Sequence, residues 1–542
     1  MNISDLSLLP AGNWAEVNRA FTWRVQPDFS MARACCDDWA RMSPDRTAII
    51  DLAEDGTRVV WTFGRLKDAS DRLAAAMRHA GVRKGDRVAI LLSQCPEVMV
   101  AHFAAMKLGA VVLPLFTLFG EDALSYRLID SGAVVAVTDA AHLDKLVGAA
   151  AGSALHTIVT KGGVSAAGAP RIVSWEDALA GAQVDFRAAQ VGAEDPAVLI
   201  YTSGTTGAPK GALHAHRFLL GHLPSVEMVL ERPRAGDIAW TPADWAWIGG
   251  LMDLAMPTLY FGLPLVSQRM RKFDPEAAFR LIRDERISIM FLPPTALKMM
   301  RQVEVPRGLS TRAIGSGGES LGADFLAWGV NELRAPINEL YGQTECNLVV
   351  SSSAGLGVTK PGTMGRAVPG HEVAIIDESG TPLPAGEVGE IAVRRGDPVM
   401  FLGYWNLPDK TKEKFVGDWL RTGDLGRADE EGYLTYVGRD DDVITSAGYR
   451  IGPTEIENCL IGDPDVVNAA VVGVPDPART EIVKAFVVVR EGAPVEGLSE
   501  RLIQRVRDRV SPHVAPRAVE FLEALPVTAT GKIMRRVLRE RG

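Results

Sequence analysis

Cysteine is scarce in these 542 residues: there are five, Cys35, Cys36, Cys95, Cys346 and Cys459. They form an odd set without a C-x-x-C pair, which excludes a disulfide scaffold and fits a reduced compartment, the cytoplasm. Long apolar runs are also missing. The longest, around residues 101–116, is interrupted by His102, Lys107 and Gly109, so it reads as a helix followed by a strand and no membrane span is expected. No period of 20–50 residues recurs, which argues against a solenoid. The opening MNISDLSLLPAGNW lacks a basic start followed by an apolar core, so no signal peptide is expected. Positive charge is in deficit too. A net charge of −9 argues against nucleic acid or an acidic membrane surface as partner. His214 and His216 have no third ligand near them in the chain, so no zinc site is expected. What remains, 47% hydrophobic and 23% charged residues, is globular in composition. The length exceeds one ordinary core and implies at least two domains.

Read in order, the chain alternates strand and helix. After a helix near residues 31–41, strand 47–51 precedes a helical pattern from Phe63 to His79. Strand 86–92, helix 96–108, strand 110–115, helix 121–130 and strand 133–138 follow. Residues 150–196 are Ala- and Gly-rich with weak periodicity and are assigned no element. Beyond strand 197–201, a helix begins near His216. The alternation then resumes with strand 238–240, helix 249–261, strand 264–267, helix 275–285, strand 287–292, strand 312–316, helix 321–332 and strand 336–341. This spacing predicts parallel α/β layers. From about Gly370 the style changes to strands 371–376, 388–394 and 433–437 between Gly/Pro turns, a small β-rich subdomain. A compact α+β unit follows, with helix 453–460, strands 466–473 and 483–490, helix 499–510 and a polar, basic tail. The boundary is placed at 438–442, giving an N-terminal domain of 1–438 and a C-terminal domain of 439–542.

Five polar segments stand out, three of them where strands end, the place at which open parallel sheets bind ligands. The first is Thr202-Ser203-Gly204-Thr205-Thr206-Gly207-Ala208-Pro209-Lys210-Gly211. Its N–H groups, hydroxyls and one ammonium suit a polyanion, and its glycines permit close approach. It does not fit Gly-x-x-x-x-Gly-Lys-Ser/Thr. The second, Ile314 to Ser320, offers a glycine surface for a flat ring. The third, Glu339-Leu-Tyr-Gly-Gln-Thr-Glu345, presents a carboxylate suited to Mg²⁺. The fourth, Leu420-Arg-Thr-Gly-Asp424, places a carboxylate after a tight turn, where it can grip ribose hydroxyls. In the fifth, Lys532 follows a glycine within Thr528-Ala-Thr-Gly-Lys-Ile-Met-Arg-Arg536, from where its charge can meet a phosphoryl transition state.

On these residues the chain resembles the adenylate-forming enzymes, the group that holds acyl-CoA synthetases, peptide-synthetase adenylation domains and firefly luciferase. TSGTTGAPKG, GGES, YGQTE, RTGD, GRDDDVITSAGYRIGPTEIE and TATGKIMRR occur in the family's order over roughly residues 30–540. The resemblance implies a large N-terminal domain and a small mobile C-terminal one. It also implies ATP, Mg²⁺ and coenzyme A, with acyl-AMP formed first and the acyl group then passed to a thiol. Carried over by position, Thr202–Gly207 and Lys210 hold the β- and γ-phosphates. Gly318, Glu319 and Ser320 line the adenine, Tyr341 and Gln343 belong to the nucleotide site, Thr344 meets the α-phosphate and Glu345 binds Mg²⁺. Asp424 and Arg439 hold the ribose side, Asp441 is the hinge, and Lys532 serves adenylation. Gly448, with Arg450 beside it, is where pantetheine threads, and Arg507 is placed for a CoA phosphate. Lys532 further resembles the reversible acylation site of acyl-CoA synthetases, which implies an acyltransferase and deacylase as partners and loss of the charge on modification.

The acid is read from one departure. Acetyl-CoA synthetases have Trp-Trp-Gln-Thr-Glu where this chain has Tyr341-Gly342-Gln343-Thr344-Glu345, so a pocket wall is missing at Gly342 and an acid longer than acetate is expected. Trp245, Trp247 and Gly249, with Gly317, complete the expected pocket, and the tract 244–250 looks like that of medium-chain synthetases. No basic residue there answers a second carboxylate. A monocarboxylic acid, short branched or medium chain, is favoured, and aromatic acids stay open. A carrier protein as acceptor, with Asp244 near the place of the peptide-synthetase aspartate, a luciferase-type oxidoreductase and a degenerate nucleotide scaffold are the other readings.

Overall fold

The computed structural model describes residues 3–541 apart from 54, 165–169, 181–185, 203–207, 271, 319–320, 440–441, 443, 447–448, 477–479, 513 and 529–531. Its strands form three sheets. In the largest, Ala313–Gly317, Ile289–Phe291, Ala239–Trp240, Leu265–Gln268 and Thr47–Leu52 run parallel to Ile337–Gln343. From Ile337–Gln343 the same sheet continues through antiparallel strands: Cys346–Ser351, Gly365–Ala367, Tyr433–Arg439, Trp419–Ala428, Gly389–Arg394 and Val373–Ile376. The β-rich region is thus hydrogen-bonded edge-on to the parallel layer. The second sheet stacks Arg171–Ser174, Thr157–Lys161, Val135–Asp139, Arg87–Leu91, Val111–Pro114 and Pro196–Thr202 in parallel. It ends on two antiparallel strands, Lys210–Ala215 and Gly403–Tyr404.

Two helices, Pro96–Lys107 and Phe218–Val229, are buried at every residue. Such all-round burial is the signature of a helix with no solvent face. One core cluster joins their side chains to Val88, Val112 and Ile200 of the second sheet and to Ile49, Ile289 and Phe291 of the first. Lys107, at the end of its helix, keeps its charge inside by pairing with Asp37 at 2.7 Å and Asp71 at 2.6 Å. Burying an ammonium requires such partners. The predicted helix from Phe63 is observed as Phe63–His79, with the Thr62 hydroxyl accepting from the Arg65 amide. No helix among the described residues is long and apolar enough to cross a membrane.

Some elements were not foreseen. Within 150–196 the structure forms strands Thr157–Lys161 and Arg171–Ser174 and helix Trp175–Ala180. They escape a periodicity search because the strands are five and four residues long. Helix Pro294–Met300 separates Ile289–Phe291 from Ala313–Gly317. Strand Lys210–Ala215 turns the glycine-rich stretch into the link of a hairpin.

The third sheet holds Ile444–Ser446, Tyr449–Ile451, Val466–Asp476, Thr480–Val489 and Ala518–Phe521. In chain order it begins after Tyr433–Arg439, the last strand of the first sheet. The basic tail is not merely a solvated end: Arg535–Arg541 is a helix. Arg535 donates twice to the Glu457 carboxylate at 2.8 Å and lies 3.5 Å from Asp442. Arg539 reaches the same Asp442 at 2.6 Å. Removing one partner from a buried ion network typically costs about 3–5 kcal/mol, because the remaining charge stays desolvated. Arg535→Ala is therefore expected to lower the unfolding free energy of the C-terminal unit by about that amount, measured by urea titration.

Candidate active site

Strands Ile337–Gln343 and Cys346–Ser351 form a hairpin in which Gln343 pairs with Cys346, leaving Thr344 and Glu345 as its two-residue tip. The sequence thereby displays a hydroxyl and a carboxylate side by side at the end of a sheet strand. Next to the tip lies Asp424, 6% exposed. It accepts from Tyr341 Oη at 2.7 Å and Gln343 Nε2 at 3.2 Å, and Arg439 stands 3.5 Å away. Arg439 is also the cross-strand partner of Asp424 in register. Arg421–Asp424, expected as a tight turn, lies instead within strand Trp419–Ala428, where the register shifts, and is held from the neighbouring strand. Glu390 accepts from the Gly423 amide at 2.7 Å and from Arg421 Nε at 2.6 Å, and the Thr422 hydroxyl donates to the Ile391 carbonyl. Lys414 Nζ donates to Gln343 Oε1 at 3.2 Å. Asp424, Tyr341, Gln343, Thr344, Glu345 and Arg439 are thus brought together.

Thr202 and Lys210 are cross-strand partners at the mouth of the second hairpin. Ser203, Gly204, Thr205, Thr206 and Gly207 lie outside the described residues. Around the loop's end, Tyr126 Oη donates to the Pro209 carbonyl at 2.9 Å and the Trp405 amide to the Gly211 carbonyl at 2.7 Å. Lys210 Nζ stands 5.3 Å from the centroid of the Tyr404 ring, and the Tyr404 hydroxyl donates to Glu345. Burial and the Glu345 charge raise the Tyr404 pKa, so its hydroxyl stays a donor. Glu345 is a buried carboxylate, 8% exposed, and among the described residues no cation pairs with it. A divalent cation fits such a carboxylate. Mg²⁺ takes one or two protein carboxylates and completes its shell with phosphates and water.

In the segment expected to line the adenine, Gly318 has φ +103° and open space where a side chain would stand. Only glycine takes that conformation without strain. Glu319 and Ser320 lie outside the described residues. Glu339 accepts from the Leu321 amide at 3.0 Å, clamping this segment to the hairpin strand.

The acyl-pocket expectation needs correction. A Cβ on Gly342 would stand 2.1 Å from the Leu348 amide nitrogen and 2.8 Å from the Asn347 backbone. The glycine is required by close approach of the two hairpin strands and leaves no vacant wall. Gly317 is likewise confined, against Leu340. Trp245, 1% exposed, is a core residue. Trp247 is half-buried, with its ring against Gly249 and 5.7 Å from that of Phe291. Asp244 is pushed up to about 6 by burial, with Arg269 in electrostatic range. A basic residue thus does stand near this tract, against the expectation of none.

Of the C-terminal residues, Asp441 and Gly448 lie outside the described set, as does the side chain of Arg450. Arg507 is exposed on helix Leu498–Arg509. Lys532 is exposed, and its amide donates to the Thr528 hydroxyl within its own turn. The structure does not place either beside Asp424. Sequence reasoning missed Tyr404, Glu390 and Lys414, because nothing local in Gly403-Tyr404-Trp405 says that it meets Glu345.

Burial also pushes the Glu339 carboxyl up to about 7, against a lowering by the Leu321 amide. A raised carboxyl favours the protonated fold, so its contribution to stability is complete in acid and is lost as pH rises through about 7. Glu339→Gln keeps the acceptor for Leu321 without the charge. Its melting temperature is expected to exceed that of the unmodified protein at pH 8, with the gap closing towards pH 5.

The family description "AMP-binding enzyme" matches residues 36–405, and "AMP-binding enzyme C-terminal domain" matches residues 455–532. The acetyl-coenzyme A synthetase of Bacillus subtilis (strain 168) is 34% identical over 488 residues, 88% of this chain and 84% of that protein. The mitochondrial acyl-coenzyme A synthetase ACSM4 of Rattus norvegicus is 34% identical over 531 residues, 95% of this chain and 90% of that one. Among solved structures, the anthranilate CoA ligase AuaEII in complex with anthranoyl-AMP superposes with a TM-score of 0.85 at 27% identity, covering 100% of this chain and 99% of that one. The benzoate CoA ligase from Burkholderia xenovorans LB400 gives 0.84 at 28%, covering 94% of this chain and 100% of its own. With the two family matches, the relatives at 34% identity and the cluster around Asp424 and Glu345 together, the chain belongs to the AMP-binding enzymes, as an adenylate-forming acyl-CoA synthetase.

Proposed function

We propose that this enzyme activates a monocarboxylic acid with an apolar tail, short branched or medium chain, and passes it to coenzyme A. An acid oxygen attacks the α-phosphorus of ATP and pyrophosphate leaves, giving acyl-AMP. The CoA sulfur then attacks the acyl carbon and AMP leaves. The observation that carries the reading is the cluster in which Tyr341, Gln343 and Arg439 fix the buried Asp424 beside the Thr344–Glu345 tip.

In this reading Asp424 accepts both ribose hydroxyls, with its oxygens oriented beforehand by Tyr341 and Arg439. Preset orientation of this kind lowers the entropic part of a barrier. The Thr344 hydroxyl faces the α-phosphate one residue away from Gln343. Mg²⁺, held by Glu345, would neutralise phosphate charge. Lys210 stands at the end of the phosphate loop, and Lys532, brought in by a C-terminal domain turning about Asp441, adds a second ammonium. Two anions must approach each other in the first step, so these cations matter most in the transition state. Gly448, Arg450 and Arg507 are assigned to the CoA half-reaction.

The apolar tail rests on Trp247, half-buried beside Phe291 and over Gly249, and no longer on Gly342. Arg269 is credited to Asp244 rather than to a second substrate carboxylate. An aromatic acid is the second reading, favoured by the likeness to proteins named anthranilate and benzoate CoA ligases.

Pyrophosphate release measured with acetate, butyrate, isobutyrate, hexanoate, octanoate and benzoate tests the proposal. A preference for acetate would overturn it, and a preference for benzoate would select the second reading. Lys532→Ala is expected to slow acyl-AMP formation by about 10²–10³ while sparing thioester formation from supplied acyl-AMP. Equal loss in both assays would refute the assigned division of labour.

A further inference from the structure

We propose that Tyr404 is a positioning residue that ties the metal-binding carboxylate, Glu345, to the phosphate-loop lysine, Lys210. The inference rests on the reading of Glu345 as the Mg²⁺ ligand. The two residues belong to different sheets, 135 positions apart in the chain (345 − 210), and Tyr404 touches both. Its hydroxyl donates to Glu345 Oε1, which leaves Oε2 for a cation. Its ring faces the Lys210 ammonium at 5.3 Å, within the range of a cation–π contact.

The backbone around Tyr404 is pinned from both sides. Leu402 and Trp405 donate to the Leu213 and Gly211 carbonyls of the loop hairpin at 2.7 Å. Phe401 donates to the Glu345 carbonyl at 2.9 Å, and Met400 bridges Cys346. Tyr404's own amide donates to the Thr411 hydroxyl at 2.9 Å. Arg217 holds the carbonyls of Pro398 and Met400 at 2.5 and 2.9 Å. A side chain fixed this way sets the plane of the Glu345 carboxylate and the height of Lys210 together. Hydrogen-bonded partners of metal ligands typically carry 10–100-fold in metal affinity.

The test compares unmodified full-length protein with Tyr404→Phe and Tyr404→Leu by calorimetric titration of ATP over a range of Mg²⁺ concentrations, with AMP titrated as the control. Tyr404→Phe keeps the ring and loses the hydroxyl. It is expected to need about tenfold more Mg²⁺ for half of the metal-dependent gain in ATP affinity, with AMP affinity and melting temperature unchanged. Tyr404→Leu is expected to add about a two- to fivefold loss in ATP affinity without Mg²⁺, as Lys210 loses its ring. A Tyr404→Phe protein with the unmodified Mg²⁺ requirement overturns the inference and leaves the Glu345 assignment standing. If ATP binding to the unmodified protein is indifferent to Mg²⁺, the Glu345 assignment itself fails. Should Tyr404→Leu fold poorly, Tyr404→Phe alone decides.

Discussion

The arrangement of the candidate site depends on enclosing one carboxylate inside the protein. Asp424 is almost fully enclosed, and an enclosed carboxylate is tolerable only when donors surround it. Those donors come from two other strands, Tyr341 and Gln343 from the hairpin and Arg439 from Tyr433–Arg439. Meeting the need of Asp424 therefore fixes the hairpin against the antiparallel part of the sheet. With Gln343 held, Thr344 and Glu345 have little freedom, since a two-residue tip inherits its position from its flanks. The Glu390 contacts do the same for the strand segment that carries Asp424.

The second sheet solves a different problem. Its parallel strands end in a hairpin whose link carries hydroxyls and glycines and whose second strand opens with Lys210. Parallel neighbours need a long crossover, whereas an antiparallel edge strand can follow through a short link. Here the antiparallel closure lets Gly403–Tyr404 add a last short strand from a distant part of the chain. That addition carries residues 400–405 between the hairpin and Glu345, so the two sheets meet beside Glu345.

Much of this was legible in the sequence where chemistry and local pattern coincide. The glycine-rich stretch, Tyr341–Glu345 and Arg421–Asp424 are dense in polar groups immediately after apolar runs, and the structure puts the last two together. The helix Phe63–His79 announced itself through periodicity, and the Thr62 cap emerged with the structure. What remained hidden is non-local. The pairing of Tyr404 with Glu345 has no local signature. Nor does the ion network of Arg535 with Glu457 and Asp442, which makes an apparent basic tail into a docked helix. Gly342 was misread for a related reason. A missing side chain looks like free volume until the neighbouring strand is known, and at 2.1 Å that strand forbids a side chain altogether.

The crowding at Gly342 bears on how such an enzyme can diversify. Size switches in binding sites are usually sought by exchanging a glycine for something larger, yet at this position the backbone of Asn347 and Leu348 closes that route. In the proposed pocket, room for retuning acid choice lies instead around Trp247 and Phe291, where side chains rather than main chain face one another. Libraries built for altered selectivity would do best to leave the hairpin untouched and vary that aromatic wall.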